Sequence, residues 1–369
     1  MAADFTPSHT PAELHALIAR LTHNLVHIRD TSGQFLLKLD DGRVIDTKGW
    51  NDWEWTHGIG LYGLLRYHQA THDAGTLAII ERWFQDRFAH GTPTKNVNTM
   101  AAFLTLAHLY ERQPDSRWLP YLDTWAEWVM HDMPRTAEGG LQHIVFNSEN
   151  PQQLWDDTLM MCVLPLAKIG QVLGRPHYIE EAKRQFLLHI QYLSDRETGL
   201  WFHGWTFDGR HNFARARWAR GNCWITMVIP EFLELLDLPP GDALREHLVT
   251  VLQTQAAALA PLQHDSGLWH TLLDDPDSYL EASAAAGFAF GLLKGMRRRY
   301  LGREHLPVAL KALAGVIRHI DAEGELRQVS FGTAMGHDLQ FYRDIPLTSM
   351  PYGQAMAIMA LTEALNHHL

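Results

Sequence analysis

The chain has 369 residues, 46% of them hydrophobic and 20% charged, the composition of an ordinary soluble globular protein long enough to bury a large core. Basic residues number 31 and acidic ones 42, and the net charge of −11 argues against broad binding to nucleic acid or to an anionic membrane. Cys162 and Cys223, the two cysteines, both lie in apolar stretches, which excludes a disulfide framework and a zinc motif and reads as two buried free thiols.

The N-terminus, MAADFTPSHTPAELHALIAR, has no basic stretch leading into an apolar one, and no apolar run reaches the ~18 residues of a membrane span. Neither a signal peptide nor a membrane anchor is expected, and the cytoplasm is the expected compartment. Helical periodicity then dominates, with strand-like alternation short and sparse, as in GQFLLKL and GLWFHGW.

PAELHALIARLTHNLVHI (11–28) reads as a helix with one apolar stripe. WEWTHGIGLYGLLRYHQA (53–70) reads as a helix apolar on most sides, opening on Trp53, Trp55 and His57. AGTLAIIERWFQDRFAHG (74–91) is amphipathic again, and VNTMAAFLTLAHLYE (97–111) is apolar, with Lys95, Asn96, Asn98 and Thr99 at its head. SRWLPYLDTWAEWVMHD (116–132) is amphipathic. GGLQHIVFNSENPQQLW (139–155) carries His143 after two glycines and leads into the apolar WDDTLMMCVLPLAKIGQVL (155–173). Asp156 and Asp157 there cannot face the same way on a helix; acidic residues in a first turn stabilise a helix through its dipole, which accounts for one of them better than for both.

HYIEEAKRQFLLHIQYL (177–193) is the fourth amphipathic helix, and GLWFHGWTFDG (199–209) sets His203 between aromatic residues. RWARGNCWITMVIPEFLELL (217–236) is apolar behind Trp218, Arg220 and Trp224; the last two, four apart, share a face. A guanidinium beside an indole suits a sugar acid, and an Arg–Asp cap with core tryptophans suits the same residues. GDALREHLVTVLQTQAAAL (241–259) and EHLPVALKALAGVIRHI (304–320) complete the amphipathic set; EASAAAGFAFGLLKGMRR (281–298) and SMPYGQAMAIMALTEAL (349–365) complete the apolar one. Between them, 321–350 is polar and irregular, a segment expected to cover a pocket mouth with FGTAMGHDLQFYRDIPLT.

A helix apolar all round must be buried, and one with a single stripe lies at the surface. Six of each in strict alternation predict two concentric rings, an all-α (α/α)6 toroid forming one domain over 1–369. An open α-solenoid is the rival. Against it, the heads of the apolar helices carry Trp, Asp, His, Arg and Glu, which a closed ring would gather around one pocket. No Walker loop, GxGxxG, HExxH, GxSxG or metal-ligand spacing is present, so neither cofactor nor metal is expected.

At these residues the chain resembles the unsaturated rhamnogalacturonyl hydrolases of glycoside hydrolase family 105, together with the related unsaturated glucuronyl hydrolases of family 88. WEWTHGIGLYGLL, PTKNVNTM, GGLQHIV, LWDDTLMMCVLPLAKIG, FHGW, RWARGNCW, EASAAAGFAFGLLKG and YRDIPLTSMPYGQA carry the likeness, with DTLMM, HGW and WARGNCW in that order its most specific part. The resemblance implies the (α/α)6 barrel and an unusual reaction. Lyases leave a C4=C5 double bond at the non-reducing end of a polysaccharide, and these enzymes hydrate that vinyl ether, so the paired-carboxylate rules of acetal hydrolysis do not transfer. By the same resemblance Asp157 is the proton donor and His203 touches the substrate near the reacting carbon. His143, Arg220, Trp224, Trp218, Asn98, Trp55 and Asp156 belong to the sugar site, with Trp53 and His57 on the same wall. Asp157 is expected to have a raised pKa, through burial or the repulsion of Asp156. Some members place a second aspartate where this chain has Asn96 and Asn98. The expected partner is an unsaturated oligosaccharide, bound by a monomer or homodimer. The competing readings are a non-catalytic toroid for carbohydrate binding or scaffolding, and an (α/α)6 enzyme of other chemistry, an epimerase or ordinary glycosidase.

Overall fold

The computed structural model describes residues 9–39 and 42–368. In chain order the helices are α1 (Pro11–His27), α2 (Trp55–Thr71), α3 (Ala74–His90), α4 (Val97–Met100), α5 (Ala102–Arg112), α6 (Leu119–Glu127), α7 (Leu164–Val172), α8 (Pro176–Leu193), α9 (Ala219–Leu236), α10 (Ala243–Leu259), α11 (Ala282–Arg297), α12 (Leu306–Arg318), α13 (Leu339–Arg343) and α14 (Pro351–His368). Three two-stranded antiparallel ribbons accompany them: β1 (Leu36–Lys38) with β2 (Val44–Asp46), β3 (Gln153–Trp155) with β4 (Gly204–Thr206), and β5 (Trp269–His270) with β6 (Leu280–Glu281).

Local signals start the helices. Thr10 opens α1 with a capping box: its hydroxyl accepts from Glu13 N at 3.3 Å, and the Glu13 carboxylate accepts from Thr10 N at 2.7 Å. Asp73 and Asp242 cap α3 and α10 in the same spirit, at 2.6 and 3.0 Å. The apolar helices α2, α5, α7, α9, α11 and α14 pack side by side, and α14 returns against α2, so the inner ring is closed and the open solenoid is set aside. The helices α1, α3, α6, α8, α10 and α12 form the outer layer, each against inner neighbours. One continuous apolar core joins both rings.

Where inner helices meet, backbones touch. A side chain at Gly63 would collide with the Ala355 backbone, and one at Gly291 with the Thr226 carbonyl. Pro230 lacks the N–H that would bond Thr226 O within α9, so that carbonyl is free to lie against Gly291.

Two inner helices depart from the predicted regularity at their heads. The second breaks at Ala101 into α4 and α5. The third begins with a π turn, Leu159–Val163, before α7, because Pro165 has no N–H to close the ordinary turn. The connections are lopsided. Outer-to-inner segments are long and carry all three ribbons, whereas the link from α2 to α3 is two residues and that from α7 to α8 is three. One end of the barrel is therefore elaborated and the other is closed. Segment 321–350 is more ordered than its composition suggested: Asp338 caps the short α13 within it, accepting from Phe341 N at 2.9 Å.

Candidate active site

A cavity of about 170 Å³ opens at the elaborated end. Its wall comes from the heads of three inner helices (Glu54 and Trp55; Asn98; Trp155 and Asp157), from His143 to Asn147, from Trp218, and from Phe331 to Ala334 of the long segment. Tryptophan and histidine rings build the frame. His143 stacks on Trp155 with centroids 4.1 Å apart, His203 lies 4.5 Å from Trp218, and Trp55 stacks on Tyr352 at 4.5 Å.

The two aspartates separate as the turn carries them from strand to helix. The β3–β4 ribbon pairs Trp155 with Gly204, and Asp156 N extends it by donating to His203 O at 3.0 Å. Asp157 then points into the cavity with its side chain 15% exposed, and its Oδ2 meets His203 Nε2 at 3.2 Å. Asp156 is fully buried and faces α9, where its carboxylate lies over Gly221; neither of its oxygens has a hydrogen-bonding partner. Only glycine at 221 leaves room for it.

The electrostatics correct the expectation of a raised Asp157. Burial acts to raise both carboxyls. At Asp157 the hydrogen bond and charge of His203 outweigh burial and hold the group at about 2. At Asp156 burial goes unopposed by such a partner, and the Asp157 charge adds to it, so this carboxyl is pushed well above its ordinary value. Of the pair, Asp156 keeps the proton and Asp157 is the anion.

His203 is held from both sides. Its Nδ1 lies 2.7 Å from the Tyr342 hydroxyl, which also accepts from Gly336 N at 3.2 Å, and its Nε2 faces Asp157. His143 Nδ1 meets the Thr158 hydroxyl at 2.8 Å, and burial pushes its imidazole down to about 3, so it is neutral. The linear sequence showed no metal-ligand spacing, yet the fold brings ligand-type atoms of Asp156, Asp157 and His203 within 4.8 Å of one another. Both His203 nitrogens are engaged and Asp156 favours its protonated form, so the trio is suited to handling a proton.

Of the residues expected at the site, the structure brings Asp157, His143, Trp218, Asn98 and Trp55 to the cavity and sets His203 directly behind Asp157. Three others stand one layer back, which corrects their expected place. Asp156 faces away. Trp224 is fully buried, edge-on to Trp55 at 6.0 Å. Arg220 is fully buried and its guanidinium holds the long segment: it donates to Ser330 O at 2.8 Å, to the Ser330 hydroxyl, to Phe331 O at 2.8 Å and to Thr333 Oγ1 at 3.0 Å. It also sits 4.6 Å from the Trp218 ring and 5.0 Å from Tyr352. Trp53 and His57 belong to the interior: Trp53 Nε1 donates to Thr99 O at 2.9 Å, and His57 Nε2 bonds Gly49 O at 2.5 Å. The reading of the sequence passed over Glu54. Its signal was there: a glutamate is an unusual N-cap, and Glu54 caps α2.

The model of the family described as Glycosyl Hydrolase Family 88 matches residues 27–368. The chain belongs to this family. A relative in Bacillus subtilis (strain 168), named unsaturated rhamnogalacturonyl hydrolase YesR, is 33% identical over 316 residues, covering 85% of this chain and 90% of its own. A crystal structure from Salmonella enterica serovar Paratyphi A, described as a possible member of GH105 family, is 64% identical with a TM-score of 0.98, covering 99% of this chain and 97% of that one. An unsaturated glucuronyl hydrolase from Bacillus sp. GL1 shares the fold at 18% identity, with a TM-score of 0.68, covering 94% of this chain and 94% of that one. This family 88 chain is thus a glycosyl hydrolase with the (α/α)6 fold. No helix among its described residues is long and apolar enough to cross a membrane.

Proposed function

We propose that this family 88 protein cleaves 4,5-unsaturated uronyl oligosaccharides by hydrating the C4=C5 bond, and that its substrate is unsaturated galacturonyl-rhamnose from the rhamnogalacturonan of pectin. The B. subtilis relative's name supports the substrate. The observation that carries the chemistry is the half-buried Asp157 carboxylate facing the cavity with His203 behind it, while its neighbour Asp156 is sealed away.

The steps balance on one carboxyl group. Asp157 gives its proton to C4, and positive charge develops at C5 and the ring oxygen. Water adds at C5 and returns a proton to Asp157. The resulting hemiketal opens by breaking the C5–ring-oxygen bond, giving a ketone at C5 and a hemiacetal at C1, which collapses to the aldehyde and releases the second sugar with the hemiacetal proton on its oxygen. In the free protein Asp157 is ionised, so its proton arrives with the substrate: the incoming uronate charge and the expulsion of water both raise a carboxyl pKa. His203 holds Asp157 in place, His143 contributes a neutral imidazole to the wall, and Trp55 and Trp218 bound the sugar. Arg220 and Trp224 act from behind, the first by shaping the loop at 330–333. Asp156 supports the turn that aims Asp157.

A panel of disaccharides made by different lyases, followed through the ultraviolet band of the conjugated uronate, tests this reading. Loss of the band with the pectic product is expected; no loss with any member of the panel sinks it.

A further inference from the structure

The cavity poses a problem of charge. A uronate is an anion, Asp157 is an anion, and no lysine or arginine is among the described residues that line the wall; Arg220 is engaged with the loop behind it. Something neutral must receive the sugar's carboxylate.

Glu54 lines the same cavity and is 1% exposed. Its Oε2 accepts from Trp55 N at 3.0 Å, which fixes the carboxyl at the head of α2. Its backbone N–H donates to His57 Nδ1 at 3.0 Å, and His57 Nε2 is anchored on Gly49 O, so the residue is held at both ends. Oε1 meets no donor at hydrogen-bonding geometry among the described residues, although the Asn98 amide stands close to the carboxyl. A buried carboxyl with one oxygen bonded and one bare at a cavity wall has a proton to offer there.

We propose that Glu54 is a specificity-determining residue, a neutral carboxylic acid whose Oε1–H donates a hydrogen bond to the carboxylate of the bound uronate. The charges around it favour that form. Burial pushes the group up to about 8 against the pull of the Trp55 N–H, Asp52 adds to the rise, and the Asn98 amide beside it opposes. The same cavity is lined by Asp157, ionised, and His143, neutral; His57, bonded to the Glu54 backbone, is neutral too, its pKa lowered chiefly by burial. None of these supplies a cation. Asn98 matters here: a charged aspartate in its place would crowd the cavity with a further anion.

This inference rests on the proposed uronyl substrate, and the test separates the two. Steady-state kinetics on the lyase-made pectic disaccharide would be measured from neutral to alkaline pH for the wild type, Glu54→Gln and Glu54→Ala. In the wild type kcat/KM should fall about tenfold per unit above pH ~8, the value in the free protein, while kcat holds, because a bound anion keeps the proton on. Glu54→Gln keeps a donor and the cap, so it should stay active with the alkaline fall removed. Glu54→Ala should raise KM about tenfold or more at neutral pH, the loss of a hydrogen bond to a charged group. Thermal melts confirm that both variants fold, and infrared titration of the free proteins should show a carboxylic-acid band near pH ~8 that is absent from Glu54→Gln. An alkaline fall that persists in Glu54→Gln, or a KM unchanged in Glu54→Ala, overturns the role of Glu54 while leaving the uronyl reading intact. A wild type that neither binds nor turns over any lyase product removes both.

Discussion

Adjacent aspartates with opposite protonation are the central feature of this site, and their separation is a matter of single contacts. Burial raises both; His203 holds Asp157 low against it, while burial and the Asp157 charge together hold Asp156 high. Asp157→Asn should remove turnover by a factor of about 10² to 10⁴, the worth of a positioned proton donor, with an unchanged fold by circular dichroism. Asp156 carries a different signature. Its folded pKa is raised, so above pH ~4 the unfolded chain releases a proton that the native one keeps, and the native state loses about 1.4 kcal/mol per pH unit until the folded value is passed. Thermal melts of Asp156→Asn and the wild type should therefore converge near pH 4 and diverge, in favour of the variant, as pH rises; parallel curves would contradict the assignment. The residues themselves were legible in the sequence, since a Trp followed by two acids at a helix head is a visible anomaly. Their electrostatic order was not, because it depends on His203, 46 residues away, and on Gly221 of the neighbouring helix α9, which leaves room for the Asp156 carboxylate.

Among the elements, the heads of the inner helices and the long segment 321–350 decide the shape of the cavity. Alternating apolar and amphipathic periods made all twelve main helices readable from sequence. The break at Ala101 and the π turn at Leu159–Val163 were not, although Pro165 was a usable sign of the second. Nor was the use of Arg220: an arginine beside a tryptophan fits sugar binding as well as it fits a clamp, and only the three-dimensional neighbours distinguish them. Arg220 and Glu281 grip Ser330 from opposite sides, the first on its carbonyl at 2.8 Å and the second on its N–H at 3.0 Å. Arg220→Lys has three N–H donors at one point for four acceptors spread over residues 330–333. It should cost about 2 kcal/mol of stability, raise KM, and open residues 331–345 to limited proteolysis. Wild-type resistance to protease in this variant would show that the loop stands without the clamp.

Over the whole molecule the two ends of the barrel divide the work. Long connections build the cavity at one end, while the other holds a buried ionic cluster. There Lys294, fully buried and about 20 Å along α11 from Glu281, contacts Glu231 at 2.7 Å and also Glu234, and the Tyr62 hydroxyl donates to Glu231 at 2.7 Å. Lys294→Met leaves these carboxylates undercompensated and should cost about 3–5 kcal/mol in denaturant unfolding, with kcat per folded molecule unchanged. A fall in kcat without a loss of stability would tie that end to the reaction. The ring itself was predictable from pattern; its closure was settled by α14 packing on α2. The central claim is that chemistry begins at C4, not at the anomeric carbon, and cleavage in heavy water tests it most directly. Mass spectrometry or proton NMR of the product should find one solvent deuterium bound at C4, with none incorporated when Asp157→Asn is used. A cleaved sugar that retains its double bond and carries no deuterium at C4 would contradict the account.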